Sequence, residues 1–531
     1  MSTTSTQQPS WLSKAVFYQI YPQSFCDSNG DGIGDLPGII SKLDYIQSLG
    51  VTALWLNPVF ASPFGDAGYD VSDFCKVAPR YGTNADLVRL FKAAHKRGLK
   101  VVLDLVAGHT SDQHPWFKEA CNDPKSPYAN YFIFTGDEEQ RSCYYYQPAV
   151  VKGRRGGYYK PNFLAFQPCL NYGYLDPDPA KPWQLPTDHP DCLAVRGMLR
   201  DVMKFWLDLG CDGFRVDMAS SLIKNDPNAI GLRRLWQGFR AWLDRDYPEC
   251  VLVSEWSNPI NAIDSGYHID FMIHFGDSAY RPLVGPGYAL NGKARRPHVF
   301  FERAGEGDIT EFLRIYQKHY EPTKGRGYIA LPTGNHDYYR NSHGRDPREL
   351  RVLYAMLLTM PGVPFVYYGD EIGMRNLTGI TEKEGSMWRA PCRTPMQWDS
   401  AKPNLGFSTA KSKALYLPVD PAADAPTVAA QESDKDSLLN FTRTVLALRA
   451  RHSALGNDGD FAPLYAEGGR YPFVYQRSDA KGRFAIAVNP GEAEVTVTLP
   501  QLKSAKRLLG TAAVKGDTLT VPGIGFGIFR L

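Results

Sequence analysis

The chain has 531 residues, 59 basic and 56 acidic side chains, and a formal net charge of +3. With 43% hydrophobic, 13% aromatic and 22% charged residues, it has the make-up of a folded globular protein, which excludes wholesale disorder and a fibrous repeat. So small a net charge gives no electrostatic case for nucleic acid or an anionic membrane surface, and the length allows about two to four domains.

In chain order, the first ten residues are polar and lack the apolar core of a secretory signal. Apolar runs then recur at 16–25, 53–59, 100–106, 212–218, 250–256, 271–275, 327–335 and 363–371. Unalternating runs of this kind suit parallel strands covered on both faces. The segments between them read as helices. Leu36, Ile39, Ile40, Leu43, Ile46 and Leu49 fall at helical spacing before Gly50, and Asn84 is placed to cap a second helix that buries Leu87, Leu90, Phe91 and Ala94. Strands alternating with helices, joined by right-handed crossovers, close most economically into an α/β fold, a (β/α)8 TIM barrel.

Two segments break the alternation. Residues 108–189 are rich in Tyr, Pro, Asn and Gly and too long for an ordinary loop, so they predict an excursion domain after the third strand. After a last amphipathic helix at 437–450, short runs at 473–476, 483–488, 494–499 and 525–530 predict a C-terminal antiparallel β-sandwich. The division is a barrel from 1–107 and 190–455, an excursion domain at 108–189, and a sandwich at 456–531. The uncharged stretch 353–369 is broken by Pro361, Gly362 and Pro364 and reads as helix, turn and strand, so no membrane partner is expected. Nine scattered cysteines (26, 75, 121, 143, 169, 192, 211, 250 and 392) without a CxxC pair predict reduced thiols and a cytoplasmic setting. The sequence carries no signal for oligomeric state.

Chemistry is expected where barrel strands end, because active sites of such barrels lie at the strands' C-terminal ends. Asp104 and His109 close the third strand, Arg215 and Asp217 lie in the fourth, Glu255 follows the fifth, and Asn335, His336 and Asp337 follow the seventh. Convergent carboxylates with Arg and His, and no nucleophilic Ser or Cys pattern, point to glycosidic chemistry. One carboxylate attacks the anomeric carbon, a second, kept protonated, protonates the leaving oxygen, and an arginine holds the nucleophile ionised. Separately, the loop 27–35 has oxygen donors Asp27, Asn29, Asp31 and Asp35 at positions 1, 3, 5 and 9, Gly32 at position 6, and the Ile33 carbonyl at position 7. That is the front of an EF-hand-type loop, except that position 12 is Gly38, so Asp35 must serve in place of the bidentate Glu.

These residues resemble a family. Gly213-Phe214-Arg215-Val216-Asp217, Ser254-Glu255-Trp256, Gly334-Asn335-His336-Asp337 and Asp104-Leu105-Val106-Ala107-Gly108-His109 look like the signatures of the α-amylase superfamily, glycoside hydrolase family 13. Tyr18-Gln19-Ile20-Tyr21-Pro22, Leu36-Pro37-Gly38-Ile39 and Arg393-Thr394-Pro395-Met396-Gln397-Trp398 resemble its oligo-1,6-glucosidase and α-glucosidase branch. The resemblance implies Asp217 as nucleophile, Glu255 as acid/base and Asp337 as the third carboxylate that grips sugar hydroxyls. It implies Arg215 beside Asp217, His109 and His336 on sugar hydroxyls, Tyr69 stacked on the sugar ring, and Asp66 meeting Arg393 to close the pocket behind a terminal glucose. Asp104 is expected to be structural.

The resemblance implies hydrolysis of short α-glucosides from the non-reducing end by double displacement with retention. Glucosyl transfer or isomerisation on the same covalent intermediate is the alternative, and a non-catalytic scaffold role is disfavoured because all three carboxylates are present. It also implies one structural Ca2+ or Mg2+ in the loop 27–35 and no organic cofactor. A second calcium of the true amylases is expected to be absent, since its ligand positions read Gly108, Cys169 and Ser221. Met218, where the family often carries Val or Thr, leaves linkage preference open, and Tyr338-Tyr339-Arg340-Asn341 departs from the usual Gln-Pro-Arg continuation.

Overall fold

The structure, a computed structural model, describes residues 8–135, 149–285, 287 and 298–531. Cys143, most of the polar N-terminal run and residues 136–148 of the expected excursion lie outside the described residues.

Eight short strands form one parallel sheet: β1 (Phe17–Ile20), β2 (Ala53–Leu56), β3 (Lys100–Leu105), β4 (Gly213–Val216), β5 (Val251–Ser254), β6 (Ile269–Phe271), β7 (Tyr328–Ala330) and β8 (Phe365–Tyr367). Neighbours in sequence are neighbours in the sheet, and β1 pairs with β8. A parallel bridge from Pro332 to Phe365 brings the last two strands together, giving the (β/α)8 barrel that the alternation predicts.

Side chains alternate across each strand, and this decides what enters the barrel. Phe17, Trp55, Val102, Val253, Phe271 and Phe365 share one buried cluster inside the ring. The residues between them, such as Tyr18, Leu54, Leu103, Phe214 and Leu252, join the larger core beneath the helices. Continuing the inward set toward the C-terminal strand ends gives Gln19, Asp104, Arg215, Asp217 and Glu255. Apolar packing thus fills the lower ring, and the polar groups collect at its mouth.

Several expected boundaries move. The sixth strand is Ile269–Phe271, two residues earlier than 271–275, because its ladder to Val253–Ser254 ends at Asp270 and its ladder to Tyr328–Ala330 at Phe271. The single helix expected after Leu36 is two, Leu36–Ser41 and Leu43–Ser48, separated at Lys42, whose N–H is shared between the carbonyls of Ile39 and Ile40. Its apolar face survives the break, with Leu36, Ile39, Leu43 and Ile46 buried. Thr83, not Asn84, caps the next helix, in a reciprocal box with Asp86. Asn84 instead binds Val77 N and Cys75 O, pinning a short strand, Asp73–Val77, that lies outside the barrel sheet.

Between β3 and β4 the chain makes a helix (Pro115–Asn122) and a short strand pair (Phe134–Thr135 with Tyr158–Tyr159), and returns through the helix Pro190–Asp208. After a helix at Leu438–Arg451, the C-terminal region has eight strands: β9 (Asp460–Tyr465), β10 (Phe473–Asp479), β11 (Gly482–Asn489), β12 (Val495–Thr498), β13 (Lys506–Gly510), β14 (Ala513–Lys515), β15 (Thr518–Val521) and β16 (Gly525–Arg530). They form antiparallel sheets of order β9-β10-β11-β16-β13 and β12-β15-β14. Val474, Ala485, Ala487 and Phe529 of one pack with Leu519 and Val521 of the other. Among the described residues, no helix is long and apolar enough to cross a membrane.

Candidate active site

Arg215 is the hub of the barrel mouth. Its Nη1 lies 2.8 Å from Asp104 and 3.0 Å from Asp217, and its Nη2 lies 2.8 Å from Glu255. The three carboxylates are not equivalent. Asp217 and Glu255 keep 10% and 11% of their side-chain surface open, whereas Asp104 keeps none, so the first two face the pocket. Asp104 is enclosed by Tyr69 Oη and Trp55 Nε1, which both donate to its Oδ2. Glu255 also accepts the backbone N–H of Met218 at 2.9 Å. Met218 takes a left-handed φ of 44°, a strained turn that aims this N–H directly after the fourth strand.

Burial pushes the Asp217 carboxyl up to about 7 against the pull of Arg215, and Glu255 up to about 8. Burial also raises Asp337, but the guanidinium groups of Arg389, Arg393 and Arg215 outweigh it and hold that carboxyl well below the usual range. Two carboxylates pushed up beside one pushed down are the environments that acid/base chemistry requires.

Asp337 stands on the loop after β7. Arg389 Nη1 and Arg393 Nη2 each lie 3.1 Å from its Oδ1, and His336 Nε2 lies 3.2 Å from its Oδ2. Here the structure departs from the sequence reading. Asp66 is paired with Arg389, at 2.9 Å, and not with Arg393. Arg393 is directed instead to Asp337, the His336 carbonyl and Tyr21 Oη. Arg389 was the side chain missed, and its signal was a second arginine one turn before Arg393. Gln167 was missed as well; its Nε2 donates to the other Asp66 oxygen.

Tyr69 and His336 stack face to face, with centroids 5.6 Å apart and planes 8° apart, and are joined by a 2.7 Å hydrogen bond. Gln19 Nε2 donates to His336 Nδ1, which leaves the proton on Nε2. Burial holds this imidazole well below its ordinary value, so it is neutral. Both nitrogens of His109 are engaged within the protein, Nε2 with the Tyr69 carbonyl and Nδ1 with Asn162 Nδ2. Asn162 ties the segment after β3 to the loop after β4. Its amide also meets Ser221 Oγ, the Met218 sulfur, Cys169 Sγ and Lys224 Nζ, and Lys224 donates further to the Ser221 carbonyl. Gly108 leaves room for it, since a Cβ there would stand 2.6 Å from Asn162 Nδ2.

The loop 27–35 is wound by its own side chains. Asp27 accepts from the N–H groups of Asn29, Gly30 and Gly32, Asn29 Oδ1 from Asp31 N, and Asp31 from Ile33 N. Asp35 has a role the spacing did not reveal: it caps the helix Leu36–Ser41 through Gly38 N and also holds Ser28. Among the described residues, no three His, Cys, Asp or Glu side chains stand together as a ready-made metal cage. The donor set is nonetheless wholly oxygen, three carboxylates, an amide and a carbonyl, which fits a hard cation in its chemistry.

Comparison with known proteins shows the family. The family described as alpha amylase, catalytic domain, matches residues 19–458. The trehalose synthase/amylase TreS of Mycobacterium tuberculosis is 33% identical over 539 residues, spanning 91% of this chain and 82% of its own. The oligo-1,6-glucosidase of Parageobacillus thermoglucosidasius is 31% identical over 545 residues, 92% of either chain. Among solved structures, a mutant isomaltulose synthase from Erwinia rhapontici NX5, in complex with its natural substrate sucrose, superposes with a TM-score of 0.81 at 26% identity, over 98% of this chain and 99% of that one.

Proposed function

The chain belongs to the α-amylase family, and on that footing we propose that it is a retaining α-glucosidase. In this reading it removes the terminal α-glucosyl unit from the non-reducing end of a short α-linked glucoside. The observation that carries it is the single guanidinium of Arg215, within 3.0 Å of Asp217 and 2.8 Å of Glu255. One fixed cation between two buried carboxylates lets one ionise while the other keeps its proton.

Asp217 attacks the anomeric carbon as Glu255 gives its proton to the departing glycosidic oxygen, leaving a covalent glucosyl-enzyme. Glu255, now a carboxylate, takes a proton from water, which displaces Asp217 and restores the α configuration. With Glu255 protonated, four carboxylates (Asp66, Asp104, Asp217, Asp337) against three arginines (215, 389, 393) leave the site with one net negative charge. That charge favours an oxocarbenium-like transition state. In this reading Asp66 and Asp337, braced by Arg389, hold hydroxyls of the terminal sugar, with Tyr69 beneath its ring.

A second reading, isomerisation with the released sugar recaptured as acceptor, is favoured by the names of the relatives, which include trehalose synthase/amylase and isomaltulose synthase. Both readings are tested by incubating the protein with maltose, isomaltose, sucrose and trehalose and identifying products over time. Hydrolysis releases free glucose in step with substrate loss; isomerisation yields a new disaccharide with little free sugar. Activity on none of the four would overturn both.

We further propose that Asp27, Asn29, Asp31, the Ile33 carbonyl and Asp35 hold one Ca2+ or Mg2+, which would supply only rigidity to that loop. The eight described cysteines are all free thiols, which supports a reducing, cytoplasmic setting.

A further inference from the structure

Asp270 occupies the middle of β6, whose other two side chains, Ile269 and Phe271, fill the ring. Alternation sends Asp270 outward, where an apolar residue is the norm for a covered strand. It is wholly buried, and among the described residues no ion pair involves it. A carboxylate buried without a cation is costly unless its lone pairs are well used. Its Oδ1 accepts the Ser254 hydroxyl at 2.6 Å and the Trp256 N–H at 3.1 Å, and its Oδ2 accepts the Asn258 N–H at 2.8 Å.

These three donors bracket Glu255. Ser254 precedes it, Trp256 follows it, and Asn258 begins the helix Pro259–Asp264 by capping it through Asn261 N. The chain between them turns through Ser257 at a left-handed φ of 53°, so this short segment needs external anchors to keep its shape. β6 is already registered on β5 through the Ile269–Val253 and Asp270–Ser254 pairs, which backbone groups make without the side chain. The carboxylate therefore adds something other than strand pairing.

We infer that Asp270 is a positioning residue for the acid/base: by gripping the backbone on both sides of Glu255, it holds that carboxyl against Arg215 and the Met218 N–H. This rests on the retaining-glycosidase reading. A tilt of Glu255 weakens proton delivery to the leaving group and leaves attack by Asp217 intact. The loss therefore depends on how much the leaving group needs a proton.

The test compares wild-type protein, Asp270→Asn and Ser254→Ala on α-glucosyl fluoride, whose fluoride departs with little help, and on phenyl α-glucoside, whose phenolate needs a proton. The parameter kcat/KM is used because it reports only the steps through departure of the leaving group. Asp270→Asn nearly preserves shape but turns one acceptor into a donor that faces N–H groups. It should lose about 10- to 100-fold on the phenyl glucoside and less than about threefold on the fluoride. Ser254→Ala, which removes one donor of three, should show the same selectivity at about two- to fivefold, and it carries the test if Asp270→Asn does not fold. Equal losses on both substrates, or no loss on either, would overturn the inference. Wild-type protein that turns over neither substrate would instead refute the glycosidic reading beneath it.

Discussion

Arg389 and Asp66, 323 positions apart in sequence, meet at 2.9 Å through Nη2 and Oδ1. The other terminal nitrogen of the same guanidinium lies 3.1 Å from Asp337. A planar fork between two carboxylates fixes both at once, and a lysine could not reproduce that geometry. The segment after β8 is thereby tied to the loop after β2, which carries Asp66, and to the loop after β7, which carries Asp337.

Removing this fork should cost sugar binding more than chemistry. Arg389→Ala is expected to raise KM for short α-glucosides about 10- to 100-fold with a smaller fall in kcat, and Arg389→Lys should lie between it and wild type. Steady-state kinetics on maltose or 4-nitrophenyl α-glucoside reads this out. An unchanged KM would remove Arg389 from the pocket.

The two bracketed carboxylates should be indispensable. Asp217→Asn and Glu255→Gln are each expected to lower kcat on an unactivated glucoside by at least about a thousandfold while leaving the thermal unfolding midpoint near wild type. Turnover near the normal rate in either variant would contradict the assigned roles.

The pH profile follows from the direction of the shifts. Burial pushes both coupled carboxyls up, so the pair titrates at two apparent values, and the double displacement needs Asp217 to give up its proton at the first. The competent form, Asp217 ionised and Glu255 protonated, is built up as pH rises through the first value and lost as it rises through the second. The expected kcat/KM profile is a bell with its alkaline limb set by Glu255. With α-glucosyl fluoride as substrate, Glu255→Gln should flatten that limb, and a limb that persists unchanged would assign it to another group.

Metal removal should act on stability and spare the chemistry, because the loop 27–35 holds none of the residues at the barrel mouth. Dialysis against a chelator is expected to lower the unfolding midpoint by about 3–5 °C, with recovery on adding Ca2+ or Mg2+. Asp27→Ala should show the lower midpoint and no response to either ion. A chelator-insensitive midpoint in the wild-type protein would argue against the ion.

The barrel and its carboxylates were legible in the sequence for one reason. A covered strand is an uninterrupted apolar run, so a charged residue that closes one stands out, as Asp217 and Glu255 do. Arg389 was not legible because it lies in a 3-10 turn, Met387–Cys392, with no periodicity. Only the closure of the whole barrel decides which of two arginines, 389 or 393, reaches Asp66. Asp35 was readable as an oxygen donor, yet its capping of the next helix depends on backbone direction, which spacing does not carry. Asp270 drew no notice because an Asp beside an apolar run reads as a strand end. Its significance comes from partners 12 to 16 residues upstream.

The inward and outward alternation of β4 has one further consequence. Phe214 and Val216 serve the core beneath the helices, while Arg215 and the adjoining Asp217 serve the pocket. A slip of one residue in this strand would exchange the two sets, sealing the guanidinium under the helices and offering a phenyl ring to the sugar. Insertions or deletions within the strand therefore cannot trade activity for stability, since either would forfeit both together.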